Sequence, residues 1–464
     1  MKLRLFNSLS KKKEIFKPIN SGKVGMYTCG PTVYDYAHLG NFRTFIFEDL
    51  LKRWLIHLGY GVKHIMNITD IDDKTIKKAQ THDVKLETIT DYYTSKFMSD
   101  LKWLKIIPAD SFPRATKHIN EIISLIQVLI EKNHAYVEND GSVYFKINSF
   151  KDYGRLTGLD IKGQQNKNRI YNDEYEKNLA SDFALWKSWK KEDGDTMWDA
   201  PWGSGRPGWH IECSAMSTSV LGDHFDIHCG GVDNLFPHHE NEIAQSVCAT
   251  GKPFVNYWLH SEHLLFDSEK MSKTSGNFYK IQELKRKKYT PESLRYLLLS
   301  GHYRTKISFS IDKKHESDKV IEKVSNFYMN LIEISTSSKS TNELPGAYSM
   351  FRDAMNDDLN TPQALGIFFK WMKLFSAQMK NKSIKPSEIS SALNFFNIFN
   401  SIFGFKVDST MDIPESVRDL LIARGKARLK KDWSLSDLIR NQIKNEGWIV
   451  VDTQDGQKLK KHQG

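Results

Sequence analysis

The chain has 464 residues, 40% of them hydrophobic, which is material for three or four domains and too much for a single core. Lys and Arg number 66 against 56 Asp and Glu, and the net charge of +10 favours a polyanionic partner such as nucleic acid, although a merely basic soluble enzyme has the same balance. Four cysteines, at 29, 213, 229 and 248, without Cys-x-x-Cys spacing, argue against a disulfide scaffold; no stretch approaches the roughly 20 apolar residues of a membrane span, so a reducing cytoplasmic location is expected.

In chain order, Val24 to Thr28 reads as a short strand. Phe42 to Leu58 reads as a helix, with Phe45, Leu50, Leu51, Trp54, Leu55 and Leu58 at helical spacing. Between them, Cys29 to Asn41 is a strand-to-helix connection. In an open parallel sheet that is where ligands bind, drawn to the exposed backbone donors of the helix start. Gly61 to Asn67 reads as a second strand, which implies a right-handed parallel unit. Helical periodicity follows over Tyr92 to Leu104 and Ile119 to Ile130. From about 135 to 200 the composition turns to Gly, Asn, Lys, Asp and Trp with short strand-like pieces such as Ser142 to Ile147, so an insertion of irregular structure is expected. Gly203, Gly205 and Gly208 satisfy Gly-x-Gly-x-x-Gly, but they follow Trp and Pro rather than an apolar strand, and the dinucleotide reading lacks its context. Sheet-like sequence returns at His224 to Cys229 and ends in Gly230-Gly231-Val232-Asp233. A helix is expected from near Pro237 through Cys248, giving a Rossmann-like unit split by the insertion. Beyond Leu284 the chain reads as helical, over Pro291 to Leu299, Ser317 to Ile334, Pro362 to Met379, Ser387 to Phe403 and Pro414 to Leu429.

Three groups of residues carry chemistry. His238 and Glu242 stand four apart in a helical context and can share a metal, and Cys29 with Cys213 would complete a two-thiolate, imidazole and carboxylate set suited to zinc. The opposing reading, a solvated helix start beside small buried thiols, stays open on the pattern alone. His38-Leu39-Gly40-Asn41 opens the first helix, where an imidazole and backbone donors can hold phosphate oxygens. Lys270-Met271-Ser272-Lys273-Thr274 offers two ammonium groups on a hydroxyl-rich loop. Neither is a Walker loop; together they point to nucleotide chemistry.

With these motifs the chain resembles a class I aminoacyl-tRNA synthetase, and within that class the cysteinyl-tRNA synthetase family, over essentially its whole length. His38 to Asn41 corresponds to the HIGH signature and Lys270 to Thr274 to the KMSKS signature. Thr28 to Asp35, Gly208 to Cys213 and Phe236 to Glu242 are distinctive of the cysteine branch. The resemblance implies an α/β Rossmann-like catalytic domain with an inserted connective region, followed by all-α stem-contact and anticodon-binding regions and a small C-terminal module. The catalytic halves would span 1–115 and 201–265, the connective insertion 116–200, the KMSKS loop and stem-contact region 266–316, the helical anticodon-binding bundle 317–405 and the small anticodon-binding module 406–464.

The activity so implied is ATP-dependent ligation of L-cysteine to its tRNA through a cysteinyl-adenylate, by a monomer. The resemblance makes Cys29, Cys213, His238 and Glu242 the ligands of one Zn2+ per chain. It places ATP, with Mg2+, at His38, Gly40, Asn41, Gly230, Gly231, Asp233, Lys270 and Lys273, with His38, Asn41, Lys270 and Lys273 acting on the developing charge. Cys29, Trp209 and His228 would meet the substrate cysteine. Four positions depart from the family pattern: Asn41 replaces the last histidine of HIGH, Thr274 the last serine of KMSKS, Cys229 a usual glycine and Leu459 a common aromatic. A ligase passing cysteine to a small amine would lack a full anticodon domain. Against a silent RNA-binding descendant stand the intact His38, Lys270, Lys273 and four metal ligands.

Overall fold

The computed structural model describes residues 1–158, 182–266, 269–270, 278–335, 342–381, 383–405, 414–453 and 456–461; at 269–270 and at 453, 456, 458, 460 and 461 it describes the backbone alone. The chain forms two compact units, Met1–Lys406 and Val407–Gly464.

The first unit opens with a hairpin of β1 (Arg4–Asn7) and β2 (Lys12–Ile15), then β3 (Lys23–Thr28), α1 (Leu39–His57), β4 (Gly61–Met66), α2 (Asp73–Thr81) and α3 (Leu86–Trp103). Apolar residues ring α1 rather than striping it: Phe42, Phe45, Ile46, Phe47, Leu50, Leu51, Trp54 and Leu55 are all buried. A helix that is apolar all round belongs inside, and α1 is the core helix of this unit.

α4 (Ile119–Glu131) stands where a helix is expected, and the region expected to be irregular supplies most of a four-stranded antiparallel sheet of β5 (Ala135–Val137), β6 (Val143–Phe145), β7 (Phe183–Ser188) and β8 (Gly205–Pro207). Three of these strands have only three residues, too short for a period to emerge from the turn-forming residues around them. The Gly-x-Gly-x-x-Gly run lies here. A Cβ on Gly205 would sit 2.2 Å from the Lys187 carbonyl oxygen, and one on Gly208 2.1 Å from that of Ala184. These glycines let β8 lie against β7, which is a packing reason for the motif.

There follow α5 (Trp209–Leu221), β9 (Phe225–Gly231), α6 (Glu240–Thr250), β10 (Val255–Ser261), β11 (Leu264–Phe266), β12 (Glu269–Lys270), α7 (Ile281–Arg286), α8 (Pro291–Leu299) and β13 (Ile307–Phe309). The central sheet is parallel throughout, in the order β10-β9-β3-β4. β3 and β9, far apart in sequence, are its middle pair, with Thr28 opposite Cys229. From β3 the chain crosses over to β4 on one side, and from β9 to β10 on the other, so the order reverses between β3 and β9. That is the switch point where such sheets bind ligands. α6 starts three residues later than Pro237 because a wide turn over Leu235–His239 comes first. Phe236 in that turn is extended (φ −138°, ψ 136°), the backbone region a following proline imposes.

The unit ends in α9 (Lys314–Ser335), α10 (Gly346–Asn356), α11 (Thr361–Lys380) and α12 (Pro386–Phe403), joined by an aromatic core that includes Phe327, Phe351, Phe368, Phe395 and Phe399. The second unit has α13 (Glu415–Leu429), α14 (Trp433–Asn445) and an antiparallel hairpin of β14 (Trp448–Thr453) and β15 (Gly456–Lys461). It owns a core of Val417, Ile439, Ile443, Trp448 and Val450, against which Leu459 packs. Asp452 takes both arms of the Arg424 guanidinium at 2.8 and 2.9 Å. Among the described residues no helix is long and apolar enough to cross a membrane.

Candidate active site

At the carboxyl ends of β3 and β9 opens a cleft of about 640 Å³. Cys29, His38, Gly40, Asn41, Trp209, Gly231 and Asp233 line it; Gly230 precedes Gly231 on β9. A Cβ on Gly230 would lie 2.8 Å from the His239 ring, so the strand end passes this close only without a side chain.

One wall is the start of α1. His38 is its N-cap: Nδ1 accepts from the Asn41 backbone N–H at 3.3 Å, while Asn41 Oδ1 accepts from the His38 backbone N–H at 3.1 Å. This reciprocal cap satisfies two helix-end donors. Because Nδ1 accepts, a neutral His38 ring carries its proton on Nε2. The segment after the Lys270 loop pairs with this wall, through Leu39 N–H to the Tyr279 carbonyl at 2.8 Å and a bridge between His38 and Lys280. Lys270 itself lies in β12, its backbone paired with Leu265. Lys273 and Thr274 lie outside the described residues.

The floor is a buried cluster. One donor atom each of Cys29, Cys213, His238 and Glu242 lies within 4.8 Å of the others, and the set Cys29, His228, His239 and Glu242 meets the same limit. β3 delivers Cys29, α5 Cys213, the wide turn His238 and α6 Glu242. His238 Nε2 is 3.1 Å from Glu242 Oε1, and His228 Nε2 is 2.9 Å from Glu242 Oε2. The Trp209 ring stacks on His238 at 4.6 Å and 24°. Burial pushes the Cys29 thiol well up, with the Cys213 thiol and the Glu242 carboxylate adding to it. Burial also brings His238 down to about 3, against the pull of Glu242. Cys229 is in neither donor set, and its thiol is likewise driven up by burial.

Further residues belong to this region. His210, His239 and His260 back the cluster, with His210 Nδ1 2.9 Å from His238 Nδ1 and His239 Nδ1 2.8 Å from His260 Nε2. His210 and His239 fall within the distinctive runs of the sequence; His260, on β10, carries no local sign. Asp73, Lys74, Glu262 and His263 also line the cleft. Burial alone would raise the Asp73 carboxyl, but Lys187 at 3.0 Å and Arg206 at 2.5 Å overcome it and hold it at about 2. Asp73 thereby ties the cleft to β7 and β8. The Asp72-Asp73-Lys74 run following β4 was the available signal.

Residues 15–319 match the family model described as tRNA synthetases class I (C) catalytic domain, and residues 350–407 match the DALR domain. Cysteine–tRNA ligase of Brachyspira hyodysenteriae is 46% identical over 469 residues, covering 98% of each chain. That of Chlamydia abortus is 43% identical over 467 residues, covering 99% of this chain and 98% of its own. Among solved structures, Mycobacterium tuberculosis methionyl-tRNA synthetase with methionyl-adenylate aligns with a TM-score of 0.58 at 14% identity, over 89% of this chain and 96% of that one. The Agrobacterium radiobacter LeuRS–tRNA–LeuAMS complex gives 0.61 at 10% identity, over 84% and 85%. These two likenesses establish the fold alone, a Rossmann-like domain followed by helices.

Proposed function

The chain belongs to the cysteine–tRNA ligases, a class I aminoacyl-tRNA synthetase family, and from that premise we propose that it charges tRNA in two steps, through a cysteinyl-adenylate, with a zinc ion selecting the cysteine thiolate. What carries the proposal is the convergence of two thiols, one imidazole and one carboxylate within 4.8 Å at the floor of a cleft whose wall is the start of α1. The donor set fits zinc in kind and number, and Glu242 Oε1 is buried without a hydrogen-bond partner among the described residues, as a ligand atom would be. Cys29, Cys213, His238 and Glu242 would hold the ion. When bound, it supplies a borderline-soft centre that favours a thiolate over a serine hydroxyl, a discrimination that removes the need for editing.

In the first step a carboxylate oxygen of cysteine attacks the α-phosphorus of ATP, whose bond to pyrophosphate breaks. In the second a ribose hydroxyl at the 3′ end of the tRNA attacks the carbonyl carbon, AMP leaves, and the hydroxyl proton is released. Negative charge builds on phosphate oxygens in the first step. His38 Nε2–H, the α1 start, Lys270 and Lys273 are assigned to that charge, each well-aimed donor being worth about 3 kcal/mol. Asn41 holds His38 through the cap with its Oδ1, and its amide is assigned to donate to ATP. Gly40, Gly230, Gly231 and Asp233 are assigned to ATP, which arrives with Mg2+, and Trp209 with His228 to the substrate cysteine. The working form in this reading is a cytoplasmic monomer.

Cysteine-dependent ATP–pyrophosphate exchange, followed by charging of tRNA transcripts, tests the reading. Both are expected with wild-type protein, and Lys273→Ala should lose exchange while retaining cysteine binding. Exchange without charging would point to a small-amine acceptor, and no exchange would remove the ligase mechanism.

A further inference from the structure

The two non-thiol donors are each gripped from behind by another buried histidine. His228 Nε2 meets Glu242 Oε2 at 2.9 Å, and His210 Nδ1 meets His238 Nδ1 at 2.9 Å. This leaves Glu242 Oε1 and His238 Nε2 facing one another at 3.1 Å. Two tetrahedral zinc bonds of about 2.0–2.2 Å place their donors roughly 3.3 Å apart, so the pair is spaced as one edge of a zinc site.

Whether His238 Nε2 is open to a metal depends on its other nitrogen. His210 and His238 are both buried, and their Nδ1 atoms face one another at 2.9 Å. Only one of the two facing Nδ1 atoms can carry hydrogen. If it were His210's, His238 would be protonated on Nε2 and closed to a metal. If His210 accepts, His238 Nε2 presents a lone pair.

Resting on the zinc reading above, we propose that His210 is a positioning residue for the metal: its Nδ1 accepts the His238 Nδ1–H and so fixes the ligating tautomer and ring plane of His238. Metal-bound histidines depend on such a partner, whose loss costs 10- to 100-fold in metal affinity. The overlapping donor set is backed by a different histidine. The alternative set uses His228, whose Nε2 is spent on Glu242, and His239, whose Nδ1 is backed by His260 Nε2 at 2.8 Å and, beyond it, by Ser8 Oγ at 2.8 Å from His260 Nδ1. The two sets therefore depend on different histidines, His210 for one and His260 for the other.

The test is zinc affinity of the full-length protein, stripped and reloaded with Zn2+, by competition with a chromogenic chelator. Asn and Leu have side chains of the same length, each branching at Cγ, and Asn puts an acceptor oxygen where His210 Nδ1 stands. His210→Leu should bind zinc about 10- to 100-fold more weakly than wild type, and His210→Asn should recover to within about threefold. His260→Gln should bind as wild type does. Equal affinities of the Asn and Leu variants, or a larger loss at His260 than at His210, would overturn the proposal. Should His210→Leu fail to fold, His210→Ala against His210→Asn provides the same contrast. A wild-type chain that takes up no zinc would overturn the metal reading itself, an outcome distinct from a zinc-binding wild type indifferent to His210.

Discussion

Single residues at the site answer to burial before anything else. His38 and Asn41 stand at the rim, where each accepts the other's backbone N–H in a reciprocal cap. His64 illustrates burial below the floor: its Nε2 bonds Thr28 Oγ1 at 3.0 Å, and burial, helped by Lys52, brings its pKa down to about 3. The unfolded chain therefore takes up a proton near pH 6.5 that the folded chain refuses. Its contribution is fully present above that pH and is lost as pH falls toward 3, by about 1.4 kcal/mol per unit. Urea midpoints should drop between pH 7.5 and pH 5, and His64→Gln, which keeps a polar partner for Thr28, should flatten the drop. An unchanged slope in that variant would rule out His64 as a source.

Elements are tied together by a few buried charges as well as by apolar packing. Asp49 on α1 accepts from Arg53 Nε at 2.8 Å and, through Oδ1, from Ile107 N–H at 2.8 Å. Arg295 on α8 approaches it at 2.6 Å and donates to the Phe403 carbonyl at 2.7 Å and the Leu104 carbonyl at 3.2 Å. One guanidinium thus joins α1, α8 and the ends of α3 and α12. Arg295→Met should cost about 3–5 kcal/mol in chemical denaturation, because it strands Asp49 in the interior. A loss under about 1 kcal/mol would mean Arg53 alone suffices. Such ties are illegible in sequence, since nothing near Arg295 announces Asp49. Helix ends are the opposite case. α8 follows Thr290, whose side chain caps Ser293 N–H, with Pro291 first in the helix, and α12 stops at Gly404 in left-handed conformation. Both ends were readable because a cap is chemistry within four residues.

For the whole molecule, the second unit has its own core and the chain carries +10. With the proposed anticodon role, removal of 407–464 should leave cysteine-dependent pyrophosphate exchange within about twofold and lower tRNA charging at least tenfold, chiefly through the KM for tRNA. A truncated protein that charges normally would remove that role. The charge also makes tRNA binding salt-dependent, because cations on the protein displace counterions from the phosphate backbone.

What the sequence determined by itself was everything local or carried by motif: the strand before Cys29, the buried helix after it, the helical run beyond Leu284, and the residues quoted for the HIGH, KMSKS and zinc-type motifs. It did so because capping, period and side-chain type are properties of a few neighbours. Tertiary structure alone decided that β3 and β9 are neighbours, and that Cys29 and Cys213 meet the His238–Glu242 pair, three separate segments in one cluster. It also decided that short strands in the insertion form a sheet, and that His210 and His260 stand behind two different donor sets. Those outcomes depend on contacts between distant segments, whose energy is settled by mutual burial and leaves no period in the chain.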